Sequence, residues 1–168
     1  MINRILRFGL IFIFLILLQV LLFNNIQFSG YVNPYIYLMF ILLLPVEIPA
    51  WLLLLLSFAT GLTVDIASGT LGMHASATLL AGFTRPYILR ITSPRDGYEP
   101  GVSPSMAYYG IRWFLIYASI MVVIHHLALF YLEVFRLADF FRTMLRVILS
   151  SLFSLAFIAL LEYIRKGK

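Results

Sequence analysis

The sequence predicts an all-α polytopic membrane protein with six transmembrane helices and both termini in the cytoplasm. Three observations lead there. Of 168 residues, 62% are hydrophobic and only 11% charged, whereas a soluble domain carries roughly 25% charged residues; lipid must cover what polar surface cannot. The apolar residues fall in long runs such as Phe8–Phe23 and Trp51–Leu56. A membrane barrel would instead alternate polarity over roughly ten-residue segments, so helices satisfy the backbone here. The third observation is the placement of Lys and Arg, which sets the orientation.

The spans read in order as residues 5–23, 32–45, 50–64, 71–89, 112–131 and 140–164 of one integral membrane domain. A short basic start, Met1–Arg7, precedes the first. Asn24-Asn25-Ile26-Gln27 offers no small-x-small cleavage pattern, so this span is expected to be retained rather than removed as a secretory signal. Gly30–Pro34 breaks the chain before the second span, and Pro45 and Pro49 separate the second from the third. Reading Tyr35–Val64 as one kinked helix would overshoot a hydrocarbon core of roughly 30 Å at about 1.5 Å per residue. Thr92–Ser105 holds three prolines and two glycines and is expected to be an exposed loop. Six spans put nine of the twelve Lys and Arg on the side of the termini. Only Arg136, Arg142 and Arg146 fall on the other, so the termini are expected inside. The net charge of +5 is therefore read as topological, not as a nucleic-acid surface. No cysteine is present, which excludes disulfides and thiolate metal sites.

The most informative stretch is Gly61-Leu62-Thr63-Val64-Asp65-Ile66-Ala67-Ser68-Gly69-Thr70-Leu71-Gly72-Met73-His74-Ala75. Asp65 is the only acid between Glu47 and Asp96. A carboxylate near a span costs a few kcal/mol at the bilayer centre on insertion scales, so it must cap, pair or act. Helix capping by Asp65 and Ser68 is the plainest reading, and it expects Asp65→Asn to be tolerated. A bound ion or ligand and a contact to a partner protein are the alternatives. Ser68, Gly72 and Ser76 are spaced by four, which would put small side chains on one face of a helix for close packing. His74 is expected to be a hydrogen-bonded packing residue rather than a ligand. In the His125-His126 pair, one ring is expected in the bundle and the other toward the headgroups, because neighbours point about 100° apart. Glu133 and Arg136 are spaced to pair. No nucleophile elbow, phosphate-binding glycine loop or His-Glu-x-x-His motif occurs, so no enzymatic activity, cofactor or metal is expected.

Gly61-Leu62-x-x-Asp65-x-x-Ser68-Gly69-x-Leu71-Gly72-x-His74-Ala75, closed by Gly82-Phe83-x-Arg85-Pro86, resembles the central region of the MreD family, and the chain's length and six spans agree with it. The long Thr92–Ser105 loop departs from the family's compact average. The resemblance implies a non-enzymatic subunit of the bacterial elongation machinery in the cytoplasmic (inner) membrane. Its partner would be a bitopic MreC-like protein. A RodA-like glycosyltransferase and its transpeptidase would be linked to it, and MreB indirectly. The resemblance makes Gly61, Asp65, Ser68, Gly69, Gly72, His74 and Arg85 structural or partner-facing candidates, and the four-residue spacing adds Ser76. The family is also similar in architecture to the substrate-binding subunits of energy-coupling-factor transporters. That gives the alternative, a small-ligand-binding membrane subunit of a transporter; an ion-coupled transporter would want more intramembrane acids.

Overall fold

The computed structural model describes residues 2–25, 32–70, 72–134 and 139–166. The described residues are all-helical, with helix over 79% of them. It comprises α1 (Ile2–Leu21), α2 (Met39–Leu43), α3 (Ala50–Ser68), α4 (Met73–Ile91), α5 (Met106–Val134) and α6 (Phe140–Lys166), with a 3₁₀ turn at Phe23–Asn25. Among the described residues four segments are long and apolar enough to cross a membrane: Ile5–Asn25, Ala50–Ser68, Met106–Val134 and Phe140–Lys166. Gly30, Leu71, Arg136 and Lys168, on which parts of the sequence reading rest, lie outside the described residues.

The segment expected to be a second helix over residues 32–45 is mostly not helical. Only Met39–Leu43 coils. The prolines explain this. Pro34 disfavours the helical region for Asn33, and Pro45 does the same for Leu44, whose φ −57°, ψ 146° is extended. The segment nevertheless runs through the middle of the molecule, with Ile36–Leu44 all buried. Buried backbone outside a helix needs partners for its amides and carbonyls, and here side chains from four helices supply them. Ser150 and Ser154 of α6 accept from the amides of Asn33 (3.0 Å) and Tyr35 (2.8 Å). Gln19 of α1 is fully buried; its Oε1 accepts from the Ile36 amide (2.8 Å) and its Nε2 donates to Pro34 O (3.1 Å). At the other end Tyr117 of α5 donates to Leu42 O (3.2 Å), and Arg85 of α4 donates to Leu44 O and Pro45 O.

Helices α3 and α4 make the closest pair. A Cβ on Gly61 would fall 2.5 Å from Ala75 Cα, and one on Gly82 would fall 2.8 Å from Ser57 Cβ. The small-residue contact is thus Gly61 on Ala75 and Ser57 on Gly82. It is not Ser68, Gly72 and Ser76, as the spacing suggested. Ser68 closes α3, Gly72 precedes α4, and Ser76 is exposed, its hydroxyl donating to Gly72 O (2.7 Å). Those three cannot share a helix face, because Gly69 and Gly72 are both left-handed (φ 67° and 76°) and break the helix between them.

The loop over residues 92–105 is pinned rather than free. Tyr98 donates to Leu89 O (2.7 Å), Trp113 Nε1 to Thr92 O (2.6 Å), and the Gly101 amide to Glu47 Oε2 (3.2 Å). Partial burial in this aromatic cluster pushes the Tyr98 hydroxyl above its ordinary pKa of 10.0.

Candidate functional site

Asp65 sits at the end of α3 and builds the turn into α4. Its main-chain oxygen accepts from the Gly69 and Thr70 amides, closing α3 around a left-handed glycine. Its carboxylate crosses to the start of α4. There Oδ1 accepts from the His74 amide (3.0 Å) and the Thr70 hydroxyl (2.5 Å), and Oδ2 from the Ala75 amide (2.8 Å). The residue before α4 is Gly72, which has no side chain to cap with, so Asp65 supplies the cap from the neighbouring helix. Among the described residues no arginine pairs with Asp65. Ser68 does not cap: its hydroxyl accepts from Asn24 Nδ2 (2.9 Å), tying α3 to the end of α1.

Below this turn lies a buried hub. The Tyr37 hydroxyl contacts His125 Nε2 (2.7 Å), His74 Nδ1 (3.1 Å) and Thr78 Oγ1 (3.2 Å). Thr78 already donates to His74 O (2.7 Å), so it can only accept from Tyr37. His126 uses Nδ1 toward Val122 O (2.8 Å) and Nε2 toward Ser154 (3.0 Å). Both histidines of the pair are fully buried, contrary to the expectation that one faces the headgroups. Each ring has interior partners: Tyr37 meets His125, whereas His126 is held by Val122 O and Ser154 and packs on the Tyr35 ring at 5.5 Å between centroids. His125 Nδ1 has no hydrogen-bond partner among the described residues. No group of three or more His, Asp or Glu suited to a metal occurs among them.

Above the hub a cavity of about 390 Å³ is bounded by Asn24, Tyr35, Ser68, His74, Glu133 and Arg146, among others. Glu133 pairs with Arg146 of α6 at 2.9 Å, and the guanidinium carbon lies 4.3 Å from the centroid of the Phe130 ring; Arg136, with which its spacing suggested a pair, lies outside the described residues. With its amide oxygen turned toward Arg146, Asn33 accepts from the same guanidinium at 2.6 Å. The cavity therefore offers a fixed cation, a carboxylate, hydroxyls and the Tyr35 ring.

Arg85 is fully buried, with no carboxylate in ion-pair range among the described residues. It donates to Leu44 O, Pro45 O (3.4 Å) and the Tyr117 hydroxyl (2.9 Å). It is a clamp on the broken segment, so it does not serve as the loop charge it was counted as. Glu162 escaped the sequence reading. It is fully buried, accepts from the Met106 amide (3.1 Å) and pairs with Arg165 through both oxygens (2.6 Å each). The signal was a lone acid in the last turns of an apolar helix.

Thus Gly61, Asp65, Gly69, Gly72 and His74 come together at one α3–α4 turn. Arg85 lies along α4 from it, and Ser76 faces outward. Compared with protein-family models, curated proteins and solved structures, the chain gives no match.

Proposed function

We propose that the chain is a non-enzymatic, MreD-like membrane subunit of the bacterial elongation machinery, supporting rod shape and lateral peptidoglycan synthesis by binding a bitopic MreC-like protein. The observation that carries this reading is that the motif resembling MreD is spent on one structural unit. Gly61 and Gly82 bring α3 and α4 together, Asp65 with Gly69 and Gly72 forms the turn, and Arg85 fastens the broken segment. A motif used to shape a membrane surface suits a protein that presents that surface to partners in the inner membrane. The test is copurification from mild detergent, with cell width measured on depletion. The bitopic partner and a RodA-like synthase should accompany the tagged protein, and depleted cells should round up. No bitopic partner and unchanged rods would reject the proposal.

Six crossings with both termini inside belong to the same reading. The support is the grouping of the chain's turns. Asn24, Thr70 and Glu133 share one cavity, while Arg7, Pro45, Gly101 and Arg165 share another at the far ends of the same helices. The extended part of the 32–44 segment gains length faster than a helix, so few residues suffice to cross. With no native cysteine, a single cysteine at Pro100 or at Asn25 is a clean probe. In intact cells an impermeant thiol reagent should label Asn25→Cys and spare Pro100→Cys; the reverse pattern would reject the orientation.

The polar cavity favours one second reading, a ligand-binding subunit of a transporter. It differs in outcome: Arg146→Gln would then abolish ligand retention while leaving copurification of the bitopic partner unchanged.

A further inference from the structure

The cavity at the other end of the bundle is lined by Arg7 of α1, Arg165 of α6, and Ser103 and Ser105 of the 92–105 loop, and holds about 170 Å³. It continues into an apolar groove of about 400 Å³ along α1, bounded by Leu6 and Leu10 and sharing Arg7 and Arg165 with the first. Ser105 is 1% exposed, and its hydroxyl has no hydrogen-bond partner among the described residues. Such a group costs about 1–3 kcal/mol if left unsatisfied. Arg165 is neutralised by Glu162, whereas Arg7 makes no ion pair among the described residues. The joined cavity therefore carries a free cation and an unused donor beside an apolar channel.

We propose that it is a binding site for one anionic phospholipid. The phosphodiester lies between Arg7 and the Ser105 hydroxyl, and one acyl chain runs along Leu6 and Leu10. Basic pockets between helices on the cytoplasmic side suit acidic headgroups, whereas a zwitterionic lipid would bring a second cation against Arg7. The site uses none of the residues of the α3–α4 motif, but its place on the cytoplasmic side rests on the topology proposed above; lipid retention in detergent is read independently of that topology.

The test is native mass spectrometry of the full chain in detergent, titrated with phosphatidylglycerol against phosphatidylcholine. Wild type should retain phosphatidylglycerol preferentially. Arg7→Gln should lower that preference about fivefold, the factor equivalent to ~1 kcal/mol per basic residue near an anionic surface. Arg112→Gln removes the same charge from an exposed position outside the cavity and should leave the preference intact. Ser105→Ala, which deletes the donor and adds no bulk, should also lower it. Equal losses in Arg7→Gln and Arg112→Gln would overturn the site, as would unchanged retention in both Arg7→Gln and Ser105→Ala. Displacement of the lipid by inorganic phosphate alone would overturn the lipid assignment.

Discussion

Asp65→Leu is expected to remove the folded protein from the membrane, and Asp65→Asn to weaken it measurably. The leucine orphans the amides of His74 and Ala75 and the hydroxyl of Thr70. The two buried amides cost about 1–3 kcal/mol each when unsatisfied, roughly 2–6 kcal/mol together, a large part of any domain's stability. Asparagine looks conservative, because it caps helices about as well as aspartate. The geometry says otherwise. Both carboxylate oxygens accept from backbone amides, so an amide side chain must turn its NH₂ toward one N–H donor. The expected cost is about 1.5–3 kcal/mol, that of a hydrogen bond to a charged group. The measurement is membrane abundance with thermal unfolding in detergent followed by size exclusion. A wild-type transition for Asp65→Asn would mean that one oxygen suffices. An Asn variant that is stable but cannot support rod growth would make the charge itself functional.

The part of this site legible in the sequence is the part carried by local chemistry. Gly69 and Gly72 flank a helix break, and an acid before that break reads as a cap. Which helix it caps was not legible, because Asp65 reaches His74 and Ala75 across the turn rather than the start of its own helix. The close-packing face was misread for the same reason. A four-residue spacing means one face only if the helix is continuous, and two left-handed glycines interrupt it.

The 32–44 segment shows the limit more clearly. Its composition is that of a buried helix, and Pro34 and Pro45 gave the only warning. What makes an irregular path affordable is distributed over Gln19, Arg85, Tyr117, Ser150 and Ser154, which no local pattern connects. Each was visible as a polar residue in an apolar helix. Their shared purpose appears only once the helices are assembled around the segment.

Gly61→Val should be far more damaging than Gly72→Ala, although both glycines belong to the same motif. At Gly61 a Cβ would stand 2.5 Å from Ala75 Cα and 2.7 Å from its amide nitrogen. Both obstacles are backbone, so the strain is relieved only by moving α3 away from α4. That movement would also pull Asp65 from the His74 and Ala75 amides, since the cradle spans the same two helices. Overpacking alone costs about 1–3 kcal/mol, and the added loss of the cap puts the total beyond that. At Gly72 a Cβ would meet nothing within 4 Å, and the only penalty is φ 76°. Alanine there costs roughly 1–2 kcal/mol, and asparagine, which tolerates the left-handed region, less. The sequence alone, with Gly72 on a packing face, expects Gly72→Leu to break assembly through a helix clash. The structure instead expects Gly72→Leu to behave like Gly72→Ala, and Gly61→Val to lose both abundance and partner binding. Comparing membrane levels and transition temperatures of the three variants decides between them. Equal damage from Gly72→Leu and Gly61→Val would return the packing contact to Gly72.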